Sequence, residues 1–360
     1  MLAIVSSGCQ AVALLFACTL AYGQVHRSIP AERVVASDGK SYSVFNSHAY
    51  VYGDQIARAI FWISADEILF VGSRLDSGLS ASESLSVVDF HVQIWNVQTG
   101  VVRTLRDFGP DHPSVCFNDG SVLLRVRARD GTYHAYHGAL GHIVEDDPKR
   151  GFSAIFCRPL NELPRRPAWM EGRALAWLGK ANEGFLDFGE TTRALENLQV
   201  RLYRLGSDKD EGIVLPFGSR QIKHRLDYYA FRDAFFVDSS FFRNPPGPDV
   251  QYPVYWLFRD GRSEKILDIP YGTWRTGIPV PVRHGVIAIS HHFNARNAHD
   301  LLDAGMYLIT RRGPTWLLKA WIDEVAVSSD GCRVAFAYAE VATGRRGRSI
   351  LRAIDLCKEG

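Results

Sequence analysis

Three imidazoles and two carboxylates fall within the short segment HHFNARNAHDLLD, as His291, His292, His299, Asp300 and Asp303. Imidazole titrates near neutral pH and ligates divalent metals, so such a group can supply a base, hold a cation or make polar contacts to a ligand. The spacing matches no ordinary metal motif: H-E-x-x-H is absent, and adjacent histidines point apart. A solvated loop in which Asp300 caps a short turn uses the same residues. These side chains are therefore binding candidates, with no metal and no cofactor expected.

Two other polar groups compete with them. Arg345 and Arg346, followed by Arg348, form a basic loop suited to an acidic partner or glycan, and equally suited to plain solvation. Ser207 to Gly212 (SDKDEG) has the composition of a calcium loop but lacks its twelve-residue ligand frame, and is expected to be a hairpin turn. The phosphate-cradling G-x-x-x-x-G-K, the dinucleotide G-x-G-x-x-G and the nucleophile elbow G-x-S-x-G do not occur.

What must position these groups is a repeat. The phrase SSDGCRVAFAYAE at Ser328 to Glu340, a turn feeding an alternating strand, recurs in diluted form as ISADEILFVG, FNDGSVLLRV, WMEGRALAWL, FRDAFFVD and VRHGVIAIS. The turn residues before each strand are Glu67, Gly120, Gly172, Asp233, Gly285 and Gly331, at intervals of 53, 52, 61, 52 and 46 residues. An all-β unit repeated at such a period is a propeller blade. Runs such as ILFV, LLRV, AFFV and VIAI are apolar on both faces, as strands covered by a sheet on each side must be. The last repeat offers strands near 323–327, 332–340 and 349–357 and then ends one strand short. A strand near 42–51 can supply the missing one and remove the open edge. The fold expected is all-β, a six-bladed β-propeller closed by an N-terminal strand, with five or seven blades as alternatives.

Within the units, the second repeat, about 113–165, is expected to hold Val122 to Arg127, a turn at Asp130-Gly131, Tyr133 to Gly138 and an apolar piece Phe152 to Cys157. The third is expected to carry a long insertion at 179–196. Insertions at 75–89, 179–196, 242–253, 291–304 and 341–348 all fall between second and third strands, which places them on one face. Loops on a rigid scaffold are where binding resides, so that face is the expected functional surface.

Two segments carry a family resemblance. HVQIWNVQTGVVRTL, His91 to Leu105, resembles the third and fourth strands of a WD40-type blade, with Trp95-Asn96 where that family often has Trp-Asp. SSDGCRVAFAYA resembles the Ser-Pro-Asp-Gly strand lead-in of the bacterial WD40-like propellers related to TolB, with Ser329 in place of the proline. The resemblance implies a fold and no particular function, since that family spans many.

The first 23 residues differ from the rest. Ala11 to Ala21 is an apolar run too short to span a bilayer, followed by small residues of the kind a signal peptidase reads. The division expected is 1–23 as a secretory signal peptide, 24–40 as a lead-in segment and 41–360 as one propeller domain. Lipidation at Cys18 is the alternative to soluble export. Loss of the signal leaves Cys116, Cys157, Cys332 and Cys357, with Cys116–Cys157 and Cys332–Cys357 as the favoured bridges and buried free thiols as the alternative. A periplasmic or secreted monomer follows, with no transmembrane segment after signal removal.

With 41 basic and 39 acidic residues the chain carries no field to attract nucleic acid. The function expected is non-catalytic binding of another protein or an envelope component through the loop-bearing face. The alternatives are a propeller enzyme acting on a glycan or other exported polymer, which needs acid and base groups to converge from different blades, and a small-ligand sensor.

Overall fold

The structure, a computed structural model, describes residues 31–51, 60–74, 89–118, 120–147, 152–153, 158–159, 168–178, 184–190, 199–218, 226–238, 251–270, 279–290, 305–339, 341–342, 345–346 and 349–359. Strands dominate them, and antiparallel hairpins join the strands in sequence order. β1 (Glu32–Val35) and β2 (Ser41–Val51) open the chain. Sheet I holds β3 (Ile60–Trp62), β4 (Glu67–Arg74), β5 (Asp89–Asn96) and β6 (Val102–Gly109). Sheet II holds β7 (His112–Asn118), β8 (Ser121–Arg127), β9 (Tyr133–Ala139) and β10 (His142–Asp146). Sheet III follows with β11 (Arg173–Leu178), β12 (Gly184–Glu190), β13 (Gln199–Arg204) and β14 (Ile213–Gly218). Sheet IV has β15 (Leu226–Tyr229), β16 (Ala234–Asp238), β17 (Gln251–Phe258) and β18 (Ser263–Pro270). Sheet V has β19 (Val280–Val282), β20 (Gly285–Ser290), β21 (Gly305–Thr310) and β22 (Gly313–Lys319). Sheet VI is made from both ends of the chain: β23 (Trp321–Val327), β24 (Arg333–Ala339) and β25 (Ile350–Glu359) pair in order, and β2 adds antiparallel to β25.

Consecutive four-stranded meanders, the last completed by the first long strand, are the topology of a β-propeller. Two bridges, Tyr50↔Ser73 and Val51↔Gly72, carry the ladder on from β2 into β4 of sheet I. β1 pairs with β2, so part of the expected lead-in belongs to the sheet, where Val34 packs on the core shared by sheets V and VI.

Side-chain volume explains why neighbouring sheets fit. Between sheets VI and I, the small Ala335, Ala337 and Ala353 face the large Phe70 and Trp95, all buried. On the other face of β24, Val334 and Phe336 meet Ile287, Met306 and Leu318 of sheet V. Alternation of large and small across a contact keeps interiors at crystal-like density. Similar shared cores join I to II, III to IV and IV to V.

Two segments depart from the regular repeat. The fourth strand of sheet II is His142–Asp146, and Phe152–Ser153, at the start of the apolar piece, pairs with Arg158–Pro159 in a short separate ladder. The expected insertion at 179–196 contains β12, a full strand between β11 and β13. The phrase WMEGRALAWL thus leads into the first strand of its sheet, while its counterparts lead into second strands. The extra chain length lies ahead of sheet III instead of inside it.

The phrase at Ser328 explains itself in hydrogen bonds. Ser328 Oγ donates to Asp330 Oδ1 at 2.5 Å and accepts from the Arg333 N–H at 2.9 Å, and Asp330 Oδ1 accepts from the Cys332 N–H at 2.9 Å. Gly331 holds φ +74°, and a Cβ there would stand 2.9 Å from the Phe231 ring of sheet IV, so only glycine fits. Cys332 is bonded to Cys357, closing a loop of sequence separation 25 across β24 and β25. Cys116 is disulfide-bonded as well; Cys157, its expected partner, lies outside the described residues. The double substitution Cys332→Ser and Cys357→Ser is expected to lower stability by about 3 kcal/mol, mostly through the freer unfolded chain. Urea unfolding of the oxidised wild type and the variant measures the difference.

Candidate functional site

His291, His292, His299 and Asp300 lie outside the described residues. Arg345 and Arg346 form one side of a short ladder, Val341↔Arg346 and Ala342↔Arg345, in the connection between β24 and β25. Among the described residues, no group of three or more His, Cys, Asp or Glu is placed to hold a metal ion, and no helix is long and apolar enough to cross a membrane.

A different site is formed on the opposite face, where the hairpin turns of sheets III and IV meet. An open cleft of about 270 Å3 lies between them, lined by Gly184, Leu202, Tyr203, Arg204, Phe235, Phe258 and Arg259. Its floor follows from the strand period: Leu202 and Phe235 belong to the buried core shared by the two sheets. Gly184 pairs with Arg204 at the start of β12, and a Cβ on it would come within 2.3 Å of the Tyr203 carbonyl oxygen. On the rim, Leu205 is 53% exposed and Ile213 is 38% exposed. Ile213 presses against Gly261 in the turn that follows Phe258 and Arg259.

The cationic side of the rim is positioned in detail. Asp233 adopts φ +48°, the left-handed conformation that Gly120, Gly172 and Gly331 hold at the matching turns before their strands. An aspartate tolerates this conformation better than most residues, at a modest cost that its side chain can offset. Here the carboxylate accepts a 2.5 Å hydrogen bond from the Tyr228 hydroxyl and lies 3.3 Å from Arg259 Nε. The Tyr228 bond is the main reason the Asp233 carboxyl sits below its ordinary pKa, with Arg259 adding to it. Burial, followed by the Asp233 bond, pushes the Tyr228 phenol up. The Arg259 guanidinium also stands 5.3 Å from the Tyr228 ring centre. Arg259 is thereby held between a charge and an aromatic face. Arg262 stacks on the Phe258 ring at 4.2 Å. Arg204 is exposed and meets no carboxylate among the described residues.

An apolar floor, aromatic walls and an arginine rim together have the composition that protein interfaces favour. The sequence reasoning missed it because its members come from the ends of strands in two repeats. One signal was present: FRDAFFVD carries aspartate at the turn position where four other repeats carry glycine.

No family model matches the chain, and no curated protein sequence matches it. Solved β-propeller structures resemble it at the level of the fold alone. A gluconolactonase from Xanthomonas campestris is 12% identical over 92% of this chain and 97% of its own, with a TM-score of 0.36. TolB from Acinetobacter baumannii is 12% identical over 93% of this chain and 63% of its own, with a TM-score of 0.26. The sialidase of Trypanosoma rangeli, in complex with sialic acid, is 10% identical over 91% of this chain and 59% of its own, with a TM-score of 0.37.

Proposed function

We propose that this chain is an exported, non-catalytic β-propeller of six blades that binds another protein or an envelope component. The observation that carries the binding reading is the cleft between sheets III and IV. It is open, floored by apolar side chains, rimmed by arginines and flanked by exposed Leu205 and Ile213. Such a surface suits a macromolecular partner better than a small solute, which is usually enclosed. Export is supported by the Cys332–Cys357 bridge, a bond that persists in oxidising compartments. The blade count rests on reading sheets I to VI as one ring. The loop-bearing face, with His291, His292, His299, Asp300, Arg345 and Arg346, remains a proposed second contact surface.

Affinity capture from an envelope extract tests the reading with three tagged proteins. They are the wild type, an Arg204→Ala/Arg259→Ala variant, and a variant with His291, His292, His299 and Arg345 changed to alanine. A discrete partner retained by the wild type is expected. Its loss only from the first variant assigns binding to the cleft, and its loss only from the second assigns it to the loop face. Capture of nothing by the wild type, or polysaccharide turnover by it, would overturn the reading.

A further inference from the structure

We infer that the Cys332–Cys357 bridge is a thiol-exchange site, where an incoming thiolate bonds to Cys332 Sγ and Cys357 departs as a thiolate held by His284. The surroundings of the two sulfurs are unequal. His284, exposed in the turn between β19 and β20 of sheet V, places Nε2 3.5 Å from Cys357 Sγ. A disulfide sulfur carries no hydrogen, so the imidazole N–H is the donor in this contact. Such a bond strengthens as negative charge collects on the sulfur, which eases departure of Cys357 when the S–S bond breaks. Among the described residues no donor meets Cys332 Sγ.

Charge acts in the same direction. Each cysteine follows an aspartate by two residues and donates its main-chain N–H to that carboxylate, Cys332 to Asp330 at 2.9 Å and Cys357 to Asp355 at 3.1 Å. Asp355 is offset by the Arg333 guanidinium at 3.2 Å, and Lys358 follows Cys357 directly. Asp330 has no ion pair among the described residues, and Arg283 Nε donates to its main-chain carbonyl at 3.0 Å. Negative charge is thus better accommodated on Cys357 than on Cys332. Both cysteines are partly exposed, whereas Cys116, which is also disulfide-bonded, is 2% exposed. Accessible sulfur beside cations and donors is the reactive kind. In the first step the bond from the attacking thiolate to Cys332 forms as the S–S bond breaks, and the electron pair leaves on Cys357 Sγ. A monothiol stops at this mixed disulfide. In a dithiol the second thiolate bonds to the first sulfur and displaces Cys332, so the dithiol leaves as a disulfide and two electrons and two protons pass to the bridge. Opening the bond unties β24 from the end of β25, the strand on which β2 adds, and leaves the main-chain ladder intact.

Reduction of the full oxidised chain under native conditions, at constant pH, reads this out with dithiothreitol and glutathione as probes. Samples quenched in acid and labelled with N-ethylmaleimide are mapped by peptide mass spectrometry, while near-ultraviolet circular dichroism follows the fold. Dithiothreitol is expected to open Cys332–Cys357 at least about tenfold faster than the bridge of Cys116, with the near-ultraviolet signal retained. Glutathione is expected on Cys332 and the maleimide label on Cys357. His284→Ala is expected to slow both reactions about threefold to tenfold. His284→Gln, which keeps an N–H donor, is expected to recover most of that loss. A merely structural contact would leave the rate of His284→Ala unchanged or raise it by exposing the bridge. Glutathione on Cys357, joint opening of both bridges with loss of the fold, or an undiminished rate in His284→Ala would overturn the inference, as would a His284→Gln rate no better than that of His284→Ala.

Discussion

Replacing Arg333 by alanine is expected to lower the unfolding free energy by about 3–5 kcal/mol, as breaking a buried ion pair from one side does. The side chain joins sheet VI to sheet I. Its Nε lies 3.2 Å from Asp355 Oδ2 in β25, and its Nη1 reaches sheet I, 2.8 Å from the Ala65 carbonyl and 2.5 Å from Asp66 Oδ1. Asp355 is almost fully buried, and its other oxygen already accepts from the N–H groups of Cys357 and Lys358. Without the guanidinium, that carboxylate keeps its desolvation cost and loses its only ion-pair partner among the described residues. Asp66 is 44% exposed, so Asp66→Ala is expected to cost only about 0–1 kcal/mol, the ordinary range for a surface pair. Urea unfolding of the two variants beside the wild type makes the comparison. Similar losses in both would mean that the seam depends on the outer contact instead of the buried one.

The same turn gives a pH dependence with a definite sign. Burial of Asp330 raises its pKa, but the bonds from Ser328 and Cys332 and the charges of Arg333 and Arg283 outweigh burial, leaving the carboxyl below its ordinary value. A carboxylate depressed in the folded state stabilises fully above its unfolded pKa, and that contribution fades as pH falls through the folded value. Asp330→Asn is therefore expected to flatten the acid limb of a stability-against-pH curve and to leave its slope near neutrality unchanged.

The fold was legible where each repeat obeys its own period. The four apolar letters in ILFV or VIAI, preceded by a turn residue, mark second strands because a sheet covered on both sides has no polar face to interrupt the run. Trp95-Asn96 was readable for a related reason: Trp95 fills the contact to sheet VI, while Asn96 Oδ1 accepts from the Gln98 and Thr99 N–H groups and fixes the following turn. Reading failed at β12. GFLDFGE places a buried aspartate and two glycines inside a strand, so its composition resembles a loop, and only the tertiary ion pair to Arg173 makes the aspartate tolerable there. The cleft was illegible because Arg204 and Arg259 come from different repeats, and sequence spacing says nothing of which rims meet. The histidine cluster of the sequence reading lies outside the described residues and stays a proposal.

That misread strand carries the other large effect. Arg173→Ala is expected to cost about 3–5 kcal/mol, because Asp187 is 2% exposed and has both oxygens committed to this arginine, at 2.9 Å and 3.0 Å from Nε and 2.6 Å from Nη2. The Gly189 N–H, 2.9 Å from Oδ1, would be the remaining donor among the described residues, too little for a buried anion. Tyr203 reports on the same group without an unfolding experiment. Its phenol is already held above the ordinary tyrosine range, first by burial and next by the Asp187 charge, with Arg201 and Arg173 pulling the other way. Removing Arg173 is expected to move it higher still, which an ultraviolet phenolate titration detects. The pair can also be separated from its packing. In the double substitution Arg173→Met/Asp187→Leu neither charge remains to be desolvated, and most of the lost stability is expected to return. If the double variant is as unstable as Arg173→Ala, the arginine's contribution is its packing against its neighbours in sheet III. If stability returns while the single variant is weak, the pair sets which strand lies between β11 and β13, and contributes specificity to a segment whose composition would otherwise leave it a loop.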